Sequence, residues 1–364
     1  MPPQRRRPPE EADIRNRPNP KGSRPRSKER PQHTAARPAQ VLTVDRGRYG
    51  CLLDGFSAAA PLPEQVEVVV TAMKARELGR AGVVVGDRVA LVGDVSGLAG
   101  SLARIVRVEP RRSALRRSAD DSDQIERVVV ANADQLAVVL ALADPEPRGG
   151  FVDRCLVAAY DAGMDPLLIL TKADLREPDA FVAQYAPLDV PWVVTRLVRS
   201  VTGSPVIEGL DAVRARLTGR VTTLIGHSGV GKSTLVNDLV PGALRAIGVV
   251  NVVTGRGRHT STSAIALQLP VGGWVVDTPG VRSFGLAHVD PDRIVAAFPD
   301  LAAGTAQCPR GCSHDEPECG MDAFVAAGGA GPAGPARLES LRRLLRSRSS
   351  GQFSGEPPGV SPEN

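Results

Sequence analysis

Two runs of this sequence carry residues whose types and spacing could do phosphate chemistry. Gly226-His227-Ser228-Gly229-Val230-Gly231-Lys232-Ser233, followed by Thr234, fits G-x-x-x-x-G-K-[ST]. It comes directly after the apolar run Val221–Ile225 and opens a helical pattern over Lys232–Leu239. Glycines in such a loop let backbone N–H groups curl round phosphate oxygens, and the helix N-terminus adds a favourable field. Lys232 is placed to hold β- and γ-phosphates, and the Ser233 hydroxyl to ligate Mg²⁺. His227 reads as a structural member of the loop. The second run, Asp277-Thr278-Pro279-Gly280, closes the apolar run Trp274–Val276. An Asp at a strand end beside the phosphates can hold Mg²⁺ through water, and the Gly280 N–H can sense the γ-phosphate.

A third run, Thr171-Lys172-Ala173-Asp174, follows the apolar stretch Pro166–Leu170. It resembles the N-K-x-D motif by which GTPases choose guanine. A carboxylate at Asp174 can accept hydrogen bonds from the guanine ring N–H and the exocyclic amine. Adenine offers no such pair, and a site built for guanine leaves that carboxylate unsatisfied with ATP. The Lys172 stem would cover the base. Thr171 stands where the motif usually has Asn and is shorter. The last base-contacting loop is poorly marked, with Thr195 and Ser200 both eligible.

A fourth constellation points to a metal. Cys308-x₃-Cys312-x-His314-x₄-Cys319 offers three thiolates and an imidazole, a tetrahedral zinc set. Four protein ligands leave no open position, so the site is expected to be structural. Cys51 and Cys155 stand apart from this cluster.

These residues need elements to position them. From about Val128 near-continuous apolar runs recur at Leu136–Leu142, Pro166–Leu170, Trp192–Val194, Val221–Ile225 and Trp274–Val276, as in buried parallel strands. Helical patterns lie between them at Asp153–Ala162, Asp179–Tyr185, Gly209–Leu217 and Lys232–Leu239, which predicts a doubly wound α/β domain. Ile265–Leu269 and Trp274–Val276 read as a hairpin within that sheet. Upstream, Val41–Val44, Cys51–Leu53, Val66–Val70, Arg88–Val92 and Leu102–Val108 are short β-type runs separated by turns, the pattern of a small barrel such as an OB-fold. A basic connector runs from Arg111 to Arg127. Near the end, Leu338, Leu341 and Leu345 share one helical face within Ala336–Arg348.

Composition bounds the rest. The chain has 364 residues, 42% of them apolar but only 3% aromatic, so its cores must rest on aliphatic side chains. Residues 1–40 are rich in Arg and Pro and cannot bury enough surface to fold alone, while their charge suits nucleic-acid phosphates. No apolar stretch approaches the ~18 residues of a membrane span, and the start lacks the apolar core of a signal peptide. A cytoplasmic protein is expected.

The order of the motifs is informative. Ordinary GTPases run phosphate loop, D-x-x-G, then N-K-x-D, whereas here the base motif comes first. Joining the old termini and opening the chain elsewhere keeps the same sheet. A β-barrel, a circularly permuted GTPase domain and a Cys/His module in that order resemble the ribosome small-subunit-dependent GTPase A family. The resemblance covers about residues 41–325 and includes Ala131-Asn132-Ala133-Asp134-Gln135 and Gly255-Arg256-Gly257-Arg258-His259-Thr260. It departs from the family in the metal set, where each outer gap is one residue shorter than usual.

The resemblance implies an OB-fold barrel at 41–120, a permuted P-loop GTPase domain at 121–290 and a zinc-binding helical module at 291–348. Disordered tails are expected at 1–40 and 349–364. It further implies a monomer that hydrolyses GTP to GDP with Mg²⁺ and one zinc per chain, binding the small ribosomal subunit and its rRNA to assist late maturation. Val281 occupies the position where many GTPases orient water with Gln, and the resemblance points to His259 as the substitute. Thr260 or Thr262 would supply the switch hydroxyl to Mg²⁺. Two other readings compete: an ATP-using P-loop enzyme, and an RNA-binding module whose loop senses nucleotide with little turnover.

Overall fold

The computed structural model describes residues 33–54, 68–79, 82–118, 126–200, 203–241, 264–278, 286 and 289–349. The first strands are β1 (Arg37–Asp45), β2 (Arg48–Leu53), β3 (Val69–Lys74), β4 (Arg88–Gly93) and β5 (Ala103–Val108). β1 to β4 each carry a run of consecutive buried residues, while β5 alternates at its start, with Ala103 and Ile105 buried and Arg104 exposed, before a register shift against β4 leaves Arg107 exposed as well. β1 pairs with both β2 and β4, β2 with β3, β3 with β5 in parallel, and β5 with β4. The circuit 1-2-3-5-4-1 closes a five-stranded barrel with OB topology. A register shift between Val41 and Thr43 bends the long β1 so that it can serve two neighbours. Val41, Cys51, Val70, Leu91 and Ile105 fill the interior. The buried Asp87 carboxylate closes one end, accepting bonds from Arg111 and from the Val84 amide.

The stretch read as a basic connector contains a hairpin instead: β6 (Ala114–Ser118) against β7 (Glu126–Ala131). Arg112, Arg116, Arg117 and Arg127 dominate its composition. Leu115 and Val130, both fully buried, tie it to the neighbouring core, with the partly buried Val129 packed beside them.

The α/β domain follows. β8 (Gln135–Ala141), β9 (Asp165–Thr171), β10 (Trp192–Val194), β13 (Val221–Ile225) and β15 (Trp274–Asp277) are parallel, and β14 (Ile265–Gln268) is antiparallel. Their order is β10-β9-β8-β13-β15-β14, and the single pairing Thr43↔Ile265 joins β14 to β1 of the barrel. Both faces of the sheet are covered. In β8, Leu136, Val138 and Leu140 join the cluster containing α1 (Gly149–Ala162), while Ala137, Val139 and Ala141 join the cluster under α3 (Leu210–Leu217) and α4 (Lys232–Leu239). A shorter helix, α2 (Asp179–Tyr185), and a ribbon of β11 (Arg196–Arg199) and β12 (Pro205–Glu208) complete the domain.

The C-terminal part is helical: α5 (Pro291–Ala296), α6 (Pro299–Ala302), α7 (Gly320–Ala326) and α8 (Gly334–Ser349). Leu338, Leu341 and Leu345 are buried on α8 as their spacing predicts, and Leu344 joins them. Arg337 reaches from α8 to the Asp300 carboxylate at 2.5 and 2.9 Å and donates to the Pro187 carbonyl at 2.7 Å. Arg343 lies 3.1 Å from the buried Asp153 of α1. α8 therefore straps the C-terminal helices onto the α/β domain. Among the described residues no helix is long and apolar enough to cross a membrane.

Candidate functional site

The parallel strands all end at one edge of the sheet, and the loops that leave this edge carry the sequence motifs. That is where open α/β sheets place ligands. The loop Gly226–Ser233 joins β13 to α4. A side chain at Gly226 would lie 2.6 Å from the Val139 carbonyl and 3.0 Å from Val230 Cγ2, so only glycine lets the loop pass β8. Gly229 and Gly231 adopt left-handed backbone with φ of 83° and 87°. Val230 is buried and pins the loop. Ser228, Gly229, Ser233 and Thr234 are exposed at its mouth. The His227 ring packs on Phe151 of α1, with centroids 4.0 Å apart.

Lys232 opens α4, and its ammonium pairs with the Asp277 carboxylate at the end of β15. The neighbouring Thr278 is buried, and its hydroxyl donates to the Leu224 carbonyl at 2.8 Å, fixing the end of β15 against β13. Two runs that are far apart in sequence therefore present a cation, a carboxylate and the loop hydroxyls at one spot. Hydroxyl and carboxylate oxygens are the hard donors that Mg²⁺ prefers.

The base motif leaves β9 at the same edge. The buried Thr171 hydroxyl donates to the Val230 carbonyl at 2.6 Å, with the Leu140 carbonyl 3.1 Å away. The short threonine thus bridges the base motif, the phosphate loop and β8. Lys172 takes a left-handed backbone (φ 58°), and its ammonium bonds the Asp144 carbonyl in the loop after β8. Asp174 is exposed, and its Oδ1 accepts from the Leu197 amide at 3.0 Å. Of the two candidates for the last loop, Thr195 is buried beneath the motif, its carbonyl taking the Ala173 amide. The Ser200 hydroxyl accepts from the Ser204 amide within the β11–β12 ribbon. Asp144 and Leu197 contribute through backbone atoms, which leave no side-chain signature in a sequence. His259, Thr260, Thr262, Gly280 and Val281 lie outside the described residues.

The four metal-ligand candidates converge despite their shortened gaps. Their ligand atoms all lie within 4.8 Å of one another. Cys308 Sγ is 3.6 Å from His314 Nδ1 and 3.8 Å from Cys319 Sγ, and Cys319 Sγ is 3.9 Å from His314 Nδ1. A tetrahedron with Zn–S of about 2.3 Å and Zn–N of about 2.0–2.1 Å sets S···S near ~3.8 Å and S···N near ~3.6 Å. The donor set fits zinc in both type and spacing. The left-handed Gly311 and His314 (φ 75° and 65°) turn the knuckle, and the His314 amide points at Cys312 Sγ from 3.4 Å. Arg342 of α8 clasps the module, donating to the His314 carbonyl and to both oxygens of Asp322. The two remaining cysteines are of another kind. Burial pushes the Cys51 thiol up to about 12 and also raises Cys155, so both stay protonated and inert.

Comparison with known proteins agrees with this arrangement. The family model described as RsgA GTPase matches residues 108–287. The small ribosomal subunit biogenesis GTPase RsgA of Pseudomonas aeruginosa is 37% identical over 272 residues, covering 72% of this chain and 75% of its own. Its namesake in Gemmatimonas aurantiaca is 35% identical over 273 residues, covering 74% and 87%. Among solved structures, YjeQ from Thermotoga maritima is similar with a TM-score of 0.59 and 25% identity, covering 86% of this chain and 99% of its own. The fold is also shared with YloQ, a circularly permuted GTPase, with a TM-score of 0.58 and 18% identity over 89% and 99% of the two chains.

Proposed function

The chain belongs to the RsgA GTPase family, and from that membership we propose that it hydrolyses GTP while assisting late maturation of the small ribosomal subunit. The observation that carries the reading is the Thr171 bridge: a base motif on β9 is bonded directly to a phosphate loop on β13, in permuted order.

Asp174 accepts the guanine ring N–H and amine, and the Lys172 stem covers the base. The amides of Gly226–Thr234 cradle the phosphates, with Lys232 on the β- and γ-oxygens. Mg²⁺, when bound, would supply positive charge that offsets the phosphate charge. Ser233 and one switch threonine, Thr260 or Thr262, would ligate it directly, and Asp277 through water. Gly280 senses the γ-phosphate, and His259 orients the attacking water or takes its proton late. Cys308, Cys312, His314 and Cys319 hold one structural zinc. The barrel, which begins at Arg37 and so takes in the last four residues of the expected 1–40 tail, and the basic residues before it supply cationic surface to rRNA, and the protein acts as a cytoplasmic monomer.

The test is GTP hydrolysis with and without purified small subunits, with ATP as competitor. Turnover should rise on adding subunits, and ATP should fail to displace GDP. Equal competition by ATP would favour an ATP-using enzyme, and no turnover with subunits would favour an RNA-binding nucleotide sensor.

A further inference from the structure

The guanine subsite has a feature that no sequence motif announces. After β10 the chain does not turn straight into α3 but projects the β11–β12 ribbon, whose Leu197, Val198 and Val206 are 53%, 36% and 45% exposed. The root of this ribbon is fixed at both ends. On entry, the Thr195 amide donates to the Leu170 carbonyl at 2.7 Å, and the Ala173 amide donates to the Thr195 carbonyl at 3.2 Å. On exit, Gly209 has φ of 88°, and a Cβ there would lie 2.2 Å from the Val194 carbonyl. A ribbon on so rigid a root can position whatever it touches.

What it touches is Asp174. The register pairs Arg196↔Glu208, Leu197↔Ile207, Val198↔Val206 and Arg199↔Pro205, and the Ser200 amide donates to Ser204. Hydrogen-bonded and non-bonded pairs alternate in an antiparallel ladder. Counting from Ser200, Leu197↔Ile207 is a non-bonded pair, so the Leu197 N–H points away from β12. It ends on Asp174 Oδ1 at 3.0 Å. A carboxylate on an exposed loop otherwise turns freely about its last bond. One amide on Oδ1 sets its plane and leaves Oδ2 and the second lone pair of Oδ1 for two donors side by side.

We propose that the β11–β12 ribbon is the positioning element of the guanine subsite, with the Leu197 backbone amide holding the Asp174 carboxylate in the plane that meets the base edge. This rests on the assignment of Asp174 to guanine, and it makes Leu197 a positioning residue that acts without its side chain.

Leu197→Pro deletes the N–H, and because this pair is non-bonded it costs no ladder bond, a placement strands tolerate. The readout is the ratio of affinities for GDP and IDP, which differ only in the 2-amino group that needs the second, correctly aimed lone pair. In Leu197→Pro the ratio should fall about tenfold or more, while Leu197→Ala, which keeps the amide, should stay within about twofold of wild type. A second measurement guards against misfolding: exchange of the Leu197 amide hydrogen in wild type and Asp174→Ala. Removing the carboxylate should speed that exchange at least tenfold. An unchanged GDP-to-IDP ratio in a folded Leu197→Pro, or unchanged exchange in Asp174→Ala, overturns the proposal. Failure of wild type to prefer GDP over ADP would instead overturn the guanine assignment beneath it.

Discussion

Thr171→Val isolates the bond that joins the two halves of the nucleotide site. Valine keeps the shape of threonine and replaces only the hydroxyl. That hydroxyl lies 2.6 Å from the Val230 carbonyl, in a residue only 5% exposed, so water cannot take its place. The Val230 side chain is itself buried, and the loop therefore cannot swing out to solvate the abandoned carbonyl. Leaving a buried acceptor unpaired costs about 1–3 kcal/mol. Unfolding free energy, read from denaturant melts, should fall by that amount. The adjoining Gly231 and Lys232 carry the amides and ammonium expected on phosphate, and binding groups tolerate displacements of only ~0.5 Å. Affinity for fluorescent GDP should therefore drop about tenfold, and Thr171→Ser, which retains the hydroxyl, should recover most of both losses. If Thr171→Val binds GDP and melts as wild type does, the bridge carries no energy and the coupling of base motif to phosphate loop is wrong.

Gly226→Ala should weaken GDP binding more than Gly229→Ala: its Cβ would meet backbone at 2.6 Å, whereas that of Gly229 finds nothing nearer than Pro145 Cδ at 3.8 Å and carries only the roughly 1–2 kcal/mol strain of its left-handed backbone. Titration calorimetry on both variants compares them directly. Metal analysis of protein purified without chelators should give about one zinc per chain, and Cys312→Ser should lose it along with the docking of α8, seen as faster proteolysis after Ala336. Arg337 holds the Asp300 carboxyl below the usual carboxylate range by hydrogen bonding. Because the folded value is depressed, this contact stabilises above the ordinary value of about 3.9 and is lost as pH falls through the folded one. The melting temperature of Asp300→Asn should thus depend less on pH below about 4 than that of wild type. His259→Ala should slow subunit-stimulated turnover by ~10²-fold or more with nucleotide affinity little changed. An unaltered stimulated rate would remove His259 from the mechanism.

Strands buried on both faces were the most legible part of the fold, because Leu136–Leu142 is apolar at every position and Val221–Ile225 interrupts its apolar run only with the buried, β-branched Thr222 and Thr223. The helix Lys232–Leu239 was equally plain, opened by the glycine loop and periodic along its length. The β6–β7 hairpin was not, since a few buried residues, Leu115, Val130 and Ala131, anchor a segment rich in arginine. In the site, the side chains with chemical signatures were readable: Lys232, Asp277, Asp174 and the four metal-ligand candidates. The groups that orient them were hidden because they are backbone atoms, the Asp144 carbonyl and the Leu197 amide, or a hydroxyl where an amide was expected. No residue type encodes a carbonyl's direction; only the path of the chain does.

The single pairing between β1 and β14 bears on how this molecule avoids its own kind. An open sheet has two rims, and an unpaired rim is a template for another chain. On one side the rim is β10, three residues long and too short to recruit a partner firmly. On the other it is β14, which the barrel approaches through Thr43↔Ile265. The barrel thus guards a vulnerable border as well as presenting its own outer surface. A chain truncated to begin after the barrel would keep every residue proposed to bind nucleotide yet bare that border. Such a fragment should tend to clump through strand-to-strand contact before it loses any affinity for nucleotide.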